Sequence, residues 1–152
     1  MRPGRLATAA LILWGFTVLV VGVAFYRSHR ATHASEDPRT VIALPSATRD
    51  SVLAEMRVML ASVHAILSAS SRGDTAALRA AAAASGTAQP IATLGADLPA
   101  AFRSRAAETH SLFDSLGAAV AAGAPRDTVM AHLARLTAGC TACHVAYRLV
   151  GR

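Results

Sequence analysis

The sequence predicts an all-α protein, an antiparallel four-helix bundle with an N-terminal transmembrane helix. Three observations predict it. Leu6 to Tyr26 runs 21 residues without a charge. After residue 46, apolar residues return every three or four positions in three long segments. The composition is rich in Ala and only 5% aromatic, which favours helix over sheet. The chain then divides into an anchor (1–28), a flexible linker (29–46) and a helical domain (47–152).

The apolar run comes first. A helix rises about 1.5 Å per residue, so this run crosses a hydrocarbon core of about 30 Å. Arg2 and Arg5 precede it, and Arg27 and Arg30 follow. Trp14 is mid-span, and Tyr26 stands where aromatic side chains settle at an interface. The rival reading is a cleaved signal peptide, whose apolar stretch is usually about 7–15 residues. This one is longer, and the nearest small-residue site, Ala31 to Ala34, lies past charges with the wrong spacing. An uncleaved anchor, with residues 6–26 in the lipid bilayer, is the reading favoured here. The arginines on its two sides balance, so they do not set its orientation.

Residues 29–46 are polar and carry Pro38 and Pro45, which reads as a tether of little regular structure. The first helix of the domain starts within Ser46–Asp50, where Ser, Thr and Asp can cap. Val52, Met56, Met59, Val63 and Ile66, with Leu53, Leu60 and Leu67, give it one wide apolar face. Gly73 ends it as a C′ residue. Asp74 and Thr75 cap a short Ala-rich second helix that runs toward Gly86. A loop follows to Leu98, and a third helix opens near Asp97 with Pro99 in its first turn. Its stripe is Phe102, Ala106, Thr109, Phe113, Leu116 and Val120, closed by Gly123 and Pro125. In the fourth helix Val129, Leu133, Leu136, Cys140, Cys143 and Tyr147 step by fours and threes. The cysteines therefore continue a helical seam.

The formal charge of +6 first suggests nucleic acid. From Ser35 onward, however, eleven arginines face nine carboxylates, a net of +2, and they form no basic stripe. No nucleic-acid partner is expected. Lysine is absent, which reflects coding composition more than function.

The only two cysteines stand in Cys140-Thr-Ala-Cys143-His144. C-x-x-C-H is the spacing of c-type haem attachment. On a helix Cys140 and Cys143 lie one turn apart, within reach of the two vinyl groups of one porphyrin. His144, four residues after Cys140, can bind the iron. One covalent haem c is the expected cofactor. A zinc site needs two further ligands, and His132 and His110 offer no second paired motif. A thioredoxin-like dithiol belongs at a strand–helix junction, and no strand pattern is evident. A disulfide is hard to close within one straight helical turn. Haem c proteins are completed outside the cytoplasmic membrane. The expected location is thus a bacterial cytoplasmic (inner) membrane, single-pass, with the haem domain in the periplasm.

A helical bundle with C-x-x-C-H-x-x-Y-R in its last helix, Cys140 to Arg148, resembles the cytochrome c prime family, the class II c-type cytochromes. The resemblance covers roughly Thr48 to Arg148 and includes the Gly73-Asp74 break. It implies thioethers at Cys140 and Cys143, a proximal iron ligand at His144, and Tyr147 and Arg148 on the proximal side. It also implies two chemistries at the other face of the iron. Met56 as distal ligand gives a low-spin electron carrier, with Met59 a weaker candidate. The other register puts Leu53 there and leaves a five-coordinate iron that binds NO or CO. The soluble region lacks the Trp often found in relatives, and the second helix is short. His64 and His110 flank the apolar stripes, where a lone His is usually a boundary or solvent-facing residue. His29 and His33 belong to the tether, and His132 lies off the main seam.

No set of catalytic acid, base and nucleophile is evident, so an enzyme is not expected. The leading expectation is outer-sphere electron transfer with a membrane redox complex or another electron-transfer protein. A gas-binding haem protein and a haem-containing accessory subunit are the alternatives, and a second copy of the chain is a further candidate partner. One prediction follows from the anchor. The full chain should resist alkaline carbonate extraction from membranes, and residues 35–152 should be released. Recovery of a shortened soluble product from the full chain would instead establish a cleaved signal.

Overall fold

The computed structural model describes residues 3–31, 37–90, 95 and 97–152. The tether histidine His33, residues 32–34 of the small-residue site and most of 91–96 lie outside the described residues. The chain divides into two units, Met1–Pro38 and Arg39–Arg152.

The first unit is α1 (Pro3–Ala31). Within it Ala7–Arg27 has a mean hydropathy of 2.3 and no burial, so it is long and apolar enough to cross a membrane. A signal sequence shares those properties. The two threonine hydroxyls of Ala7–Arg27 are satisfied inside the helix, Thr8 on the Gly4 carbonyl (2.8 Å) and Thr17 on the Leu13 carbonyl (2.9 Å). In a medium without water that satisfaction is required.

The second unit is mostly helical. Its elements are β1 (Thr40–Leu44), α2 (Ser46–Arg72), α3 (Thr75–Ala83), α4 (Ala100–Ala121), α5 (Arg126–Ala146) and β2 (Tyr147–Gly151). Each helix packs on its neighbour in sequence. Two turns set that order. After α2, Gly73 takes φ 69°, the Asp74 amide bonds to the Ala69 carbonyl, and the Asp74 carboxylate accepts from the Ala77 amide. After α4, Gly123 takes φ 76°, with Ala124 bonded to Ala119. Both are left-handed closures that glycine alone adopts without strain.

One core draws on all four helices of this unit: Ile66 and Ala69, Leu78 and Ala82, Phe113 and Leu116, and Leu133 and Leu136. A second cluster gathers Ile42, Leu44, Val52, Leu98 and Phe102. The apolar face of α2 is narrower than the sequence suggests. Leu60 is 70% exposed, while Ser62 is buried and meets the Ser85 hydroxyl at 2.8 Å.

Two expectations about secondary structure need correction. The stretch read as an irregular tether contains β1, and the last helix ends at Ala146 instead of continuing through Tyr147. β1 and β2 form a parallel pair with Thr40 opposite Tyr147 and Leu44 opposite Gly151. Parallel strands need a long crossover, and here the entire helical set from Ser46 to Ala146 serves as one. Alternation in Thr40–Leu44 sends Ile42 and Leu44 inward, at 4% and 0% exposure. Each such burial contributes about 1.5–3 kcal/mol, which favours strand over a solvated tether.

His110 is not a boundary residue. It is 2% exposed, with Nδ1 donating to the Ser85 carbonyl at 2.7 Å and Nε2 meeting Glu55 Oε1 at 2.8 Å. The hydrogen bond to the Glu55 carboxylate raises its pKa, burial opposes this, and the Ser85 carbonyl and the Asp114 charge reinforce it. The stabilisation from the imidazolium is complete below the unfolded value of about 6.5 and is lost as pH rises through the higher folded value. Denaturation of residues 35–152 should therefore show stability falling as pH rises past about 6.5, and His110→Phe should flatten that dependence. Phe113→Ala, emptying the centre of the four-helix core, should cost about 3–5 kcal/mol by the same measurement.

Candidate functional site

α5 carries Cys140, Cys143 and His144 in its last two turns. Their helical spacing places the two thiols on one face. Both thiols are free and half-buried. Cys140 packs against the four-helix core, and Cys143 packs against the second cluster. The pair thus spans the join between the two apolar regions. Met56 of α2 packs on the same cluster as Cys143, and Met59 packs on the core that Cys140 touches. Leu53 is half-buried. The fold therefore associates both methionines with the cysteine-bearing regions, Met56 with the one nearer His144 in sequence.

His144 is exposed, as is Val145 beside it at 69%. The His144 carbonyl accepts from an Arg39 guanidinium nitrogen at 3.3 Å. Tyr147 and Arg148, read from sequence as helical, are the first residues of β2. The backbone turns at Tyr147 to φ −128° and ψ 149°, and its amide still bonds to the Cys143 carbonyl. The Tyr147 ring stands edge-on to Phe102, with centroids 5.6 Å apart and planes at 78°. Arg148 is half-buried and lies opposite Val41 in the strand register.

Burial pushes both thiols above the ordinary cysteine value. At Cys143 the Arg105 guanidinium partly offsets that rise. Protonated, half-buried thiols are weak nucleophiles, which argues against a reactive dithiol. Of the other described histidines, His64, His110 and His132 do not join the pair. His110 is held by Glu55 and Ser85, His64 is exposed, and the buried Nδ1 of His132 has no hydrogen-bond partner among the described residues. Among the described residues no three His, Cys, Asp or Glu side chains form a cage for a metal ion. A protein-only zinc site needs such a cage. A covalently held porphyrin needs only two thiols on one face, an adjacent imidazole with an open edge, and apolar surface behind. Cys140, Cys143 and His144 fit that donor set. An open groove of about 530 Å³ between α3 and α4 is lined by Ala80, Phe113 and Gly117 and contains none of these residues.

Sequence reasoning missed Arg39, which bonds to the His144 carbonyl, Arg105, whose charge acts on Cys143, and Glu55, which anchors His110. No local pattern marks them, because each acts through a partner at least 38 positions away. Comparison with known protein families, with curated proteins and with solved structures finds no match to this chain.

The thiol environment is directly testable. Alkylation of haem-free 35–152 by iodoacetamide should be slower at pH 7 than that of a cysteine peptide, and should accelerate only at higher pH. Arg105→Gln should slow Cys143 further and leave Cys140 unchanged, as site-resolved mass spectrometry would record.

Proposed function

We propose that this chain is a membrane-anchored, mono-haem c-type cytochrome that carries electrons on the periplasmic side of a bacterial cytoplasmic membrane. One observation carries the reading. The sequence Cys140-Thr-Ala-Cys143-His144 occupies the last turns of a helix, with both thiols backed by apolar clusters and the imidazole open beside them. Cys140 and Cys143 would hold the haem through thioethers, and His144 would bind its iron. Once bound, the haem supplies a one-electron Fe(III)/Fe(II) couple.

The chain's own residues then have definite tasks. Val52, Phe102, Leu44 and Ile42 exclude water on the Cys143 side. Met56, on the same cluster, is the candidate sixth ligand, and a thioether there raises the potential. Tyr147, edge-on to Phe102, and Arg148 close the other end of the motif. The order of α2 to α5, joined at Gly73 and Gly123 by tight turns, supports an antiparallel four-helix arrangement of the class II cytochrome kind. The apolar helix over Ala7–Arg27 supports the anchor, and haem attachment outside the cytoplasmic membrane would leave the N-terminus on the cytoplasmic side. An anchored carrier stays near membrane redox complexes, which raises its effective concentration there. The near-neutral charge of the region after Ser35 leaves shape and tethering, not steering, to select the partner.

Met56 also motivates a second reading. Its partly buried side chain already packs against the second cluster, and methionine at helical spacing commonly does no more than that. Iron left five-coordinate would take NO or CO.

Absorption spectra decide between the two. Residues 35–152, made with haem-maturation machinery, should carry covalent haem, and Cys140→Ala with Cys143→Ala should abolish it. A low-spin spectrum unchanged by CO, opened by Met56→Ala, supports electron transfer. A high-spin spectrum that shifts with CO supports gas binding. A chain without covalent haem overturns both.

A further inference from the structure

The last four carbonyls of a helix have no partner within it. In α5 the Tyr147 amide still reaches the Cys143 carbonyl, but the chain then leaves for β2, so no further helical amide follows to serve His144. The His144 carbonyl is instead held by Arg39, 105 positions away. A guanidinium at a helix C-terminus also meets the negative end of the helix dipole. Arg39 directly precedes β1, and β1 pairs along its whole length with β2, beginning with Thr40 opposite Tyr147. Ile42 and Leu44 of β1 are buried in the cluster on which Cys143, Met56 and Tyr147 pack. The backbone of the C-x-x-C-H turn is therefore gripped from one side by Arg39 and from its end by β1.

We propose that Arg39–Leu44 is a latch that positions His144, with Arg39 as the positioning residue. This rests on the haem reading given above and deepens it. Holding the His144 carbonyl fixes the peptide plane next to its Cα, and so fixes the direction in which the imidazole leaves the helix. The β1–β2 pair stops α5 one turn after Cys143, which keeps that direction from drifting as the helix frays. The segment that enters the domain from the linker is thus part of the site.

Two measurements test it, using Arg39→Met, which keeps length and loses the donor, and Arg39→Lys, which keeps charge and donor. In the full chain, amide hydrogen exchange at Tyr147 and Arg148 should rise about tenfold in Arg39→Met and return toward the parent value in Arg39→Lys. In the haem-loaded protein, Arg39→Met should alter the axial-ligand EPR signature and the midpoint potential, and Arg39→Lys should largely restore both. Faster exchange with an unchanged EPR signature and potential overturns the proposal, because Arg39 would then serve the fold alone. Unchanged exchange overturns it as well. If the parent chain takes up no haem, the cytochrome reading fails, and the exchange comparison still decides whether the latch exists.

Discussion

The pairing of β1 with β2 is the constraint on which the rest of the domain depends. It joins residues 40–44 to residues 147–151 and so closes the helical set between them into a loop. It ends α5 directly after the cysteine–histidine motif and brings Ile42 and Leu44 under Cys143. Two strands of five residues are marginal by themselves. Here they persist because one face is buried and because Arg39 and Tyr147 secure the first register position from both sides.

The four helices supply a thin core. Alanine lets α3 and α4 approach closely, with the Ala82 methyl 3.5 Å from where a Cβ on Gly117 would stand. Close approach of small residues buries little apolar area per residue. Specificity of packing then falls partly to polar groups. His110 ties α4 to Glu55 on α2 and to the Ser85 carbonyl after α3, and Ser62 meets Ser85. A buried polar contact of this kind adds little net stability over apolar packing, but leaving Glu55 or His110 buried without its partner would be costly. A haem covering the half-buried thiols would add apolar contact where the aromatic-poor core has least to offer.

Much of the candidate site was legible in the sequence. Cys140, Cys143 and His144 are adjacent, and the fours-and-threes rhythm of Val129, Leu133 and Leu136 put them on a helical seam, where the cysteines are found. Gly73 and Asp74 announced their turn because φ sign and side-chain capping are local properties. The strands were not legible as such. Thr40-Val-Ile-Ala-Leu44 and Tyr147-Arg-Leu-Val150 both favour extended structure, but each is too short to stand without the other. Tyr147 also fitted the helical rhythm, so periodicity favoured the wrong element at that one position.

The sequence alone determined the helices, their turns, the apolar first segment and the spacing of the two thiols and the imidazole. These follow from interactions within a few residues along the chain. Tertiary structure alone decided where α5 stops, which histidine is buried, and which arginines reach the cysteine-bearing turn. Those outcomes depend on pairings such as Arg39 with His144 and Glu55 with His110, made between groups 105 and 55 positions apart. Partners so distant leave no periodic trace in the sequence, because only the closed fold brings them within hydrogen-bonding distance.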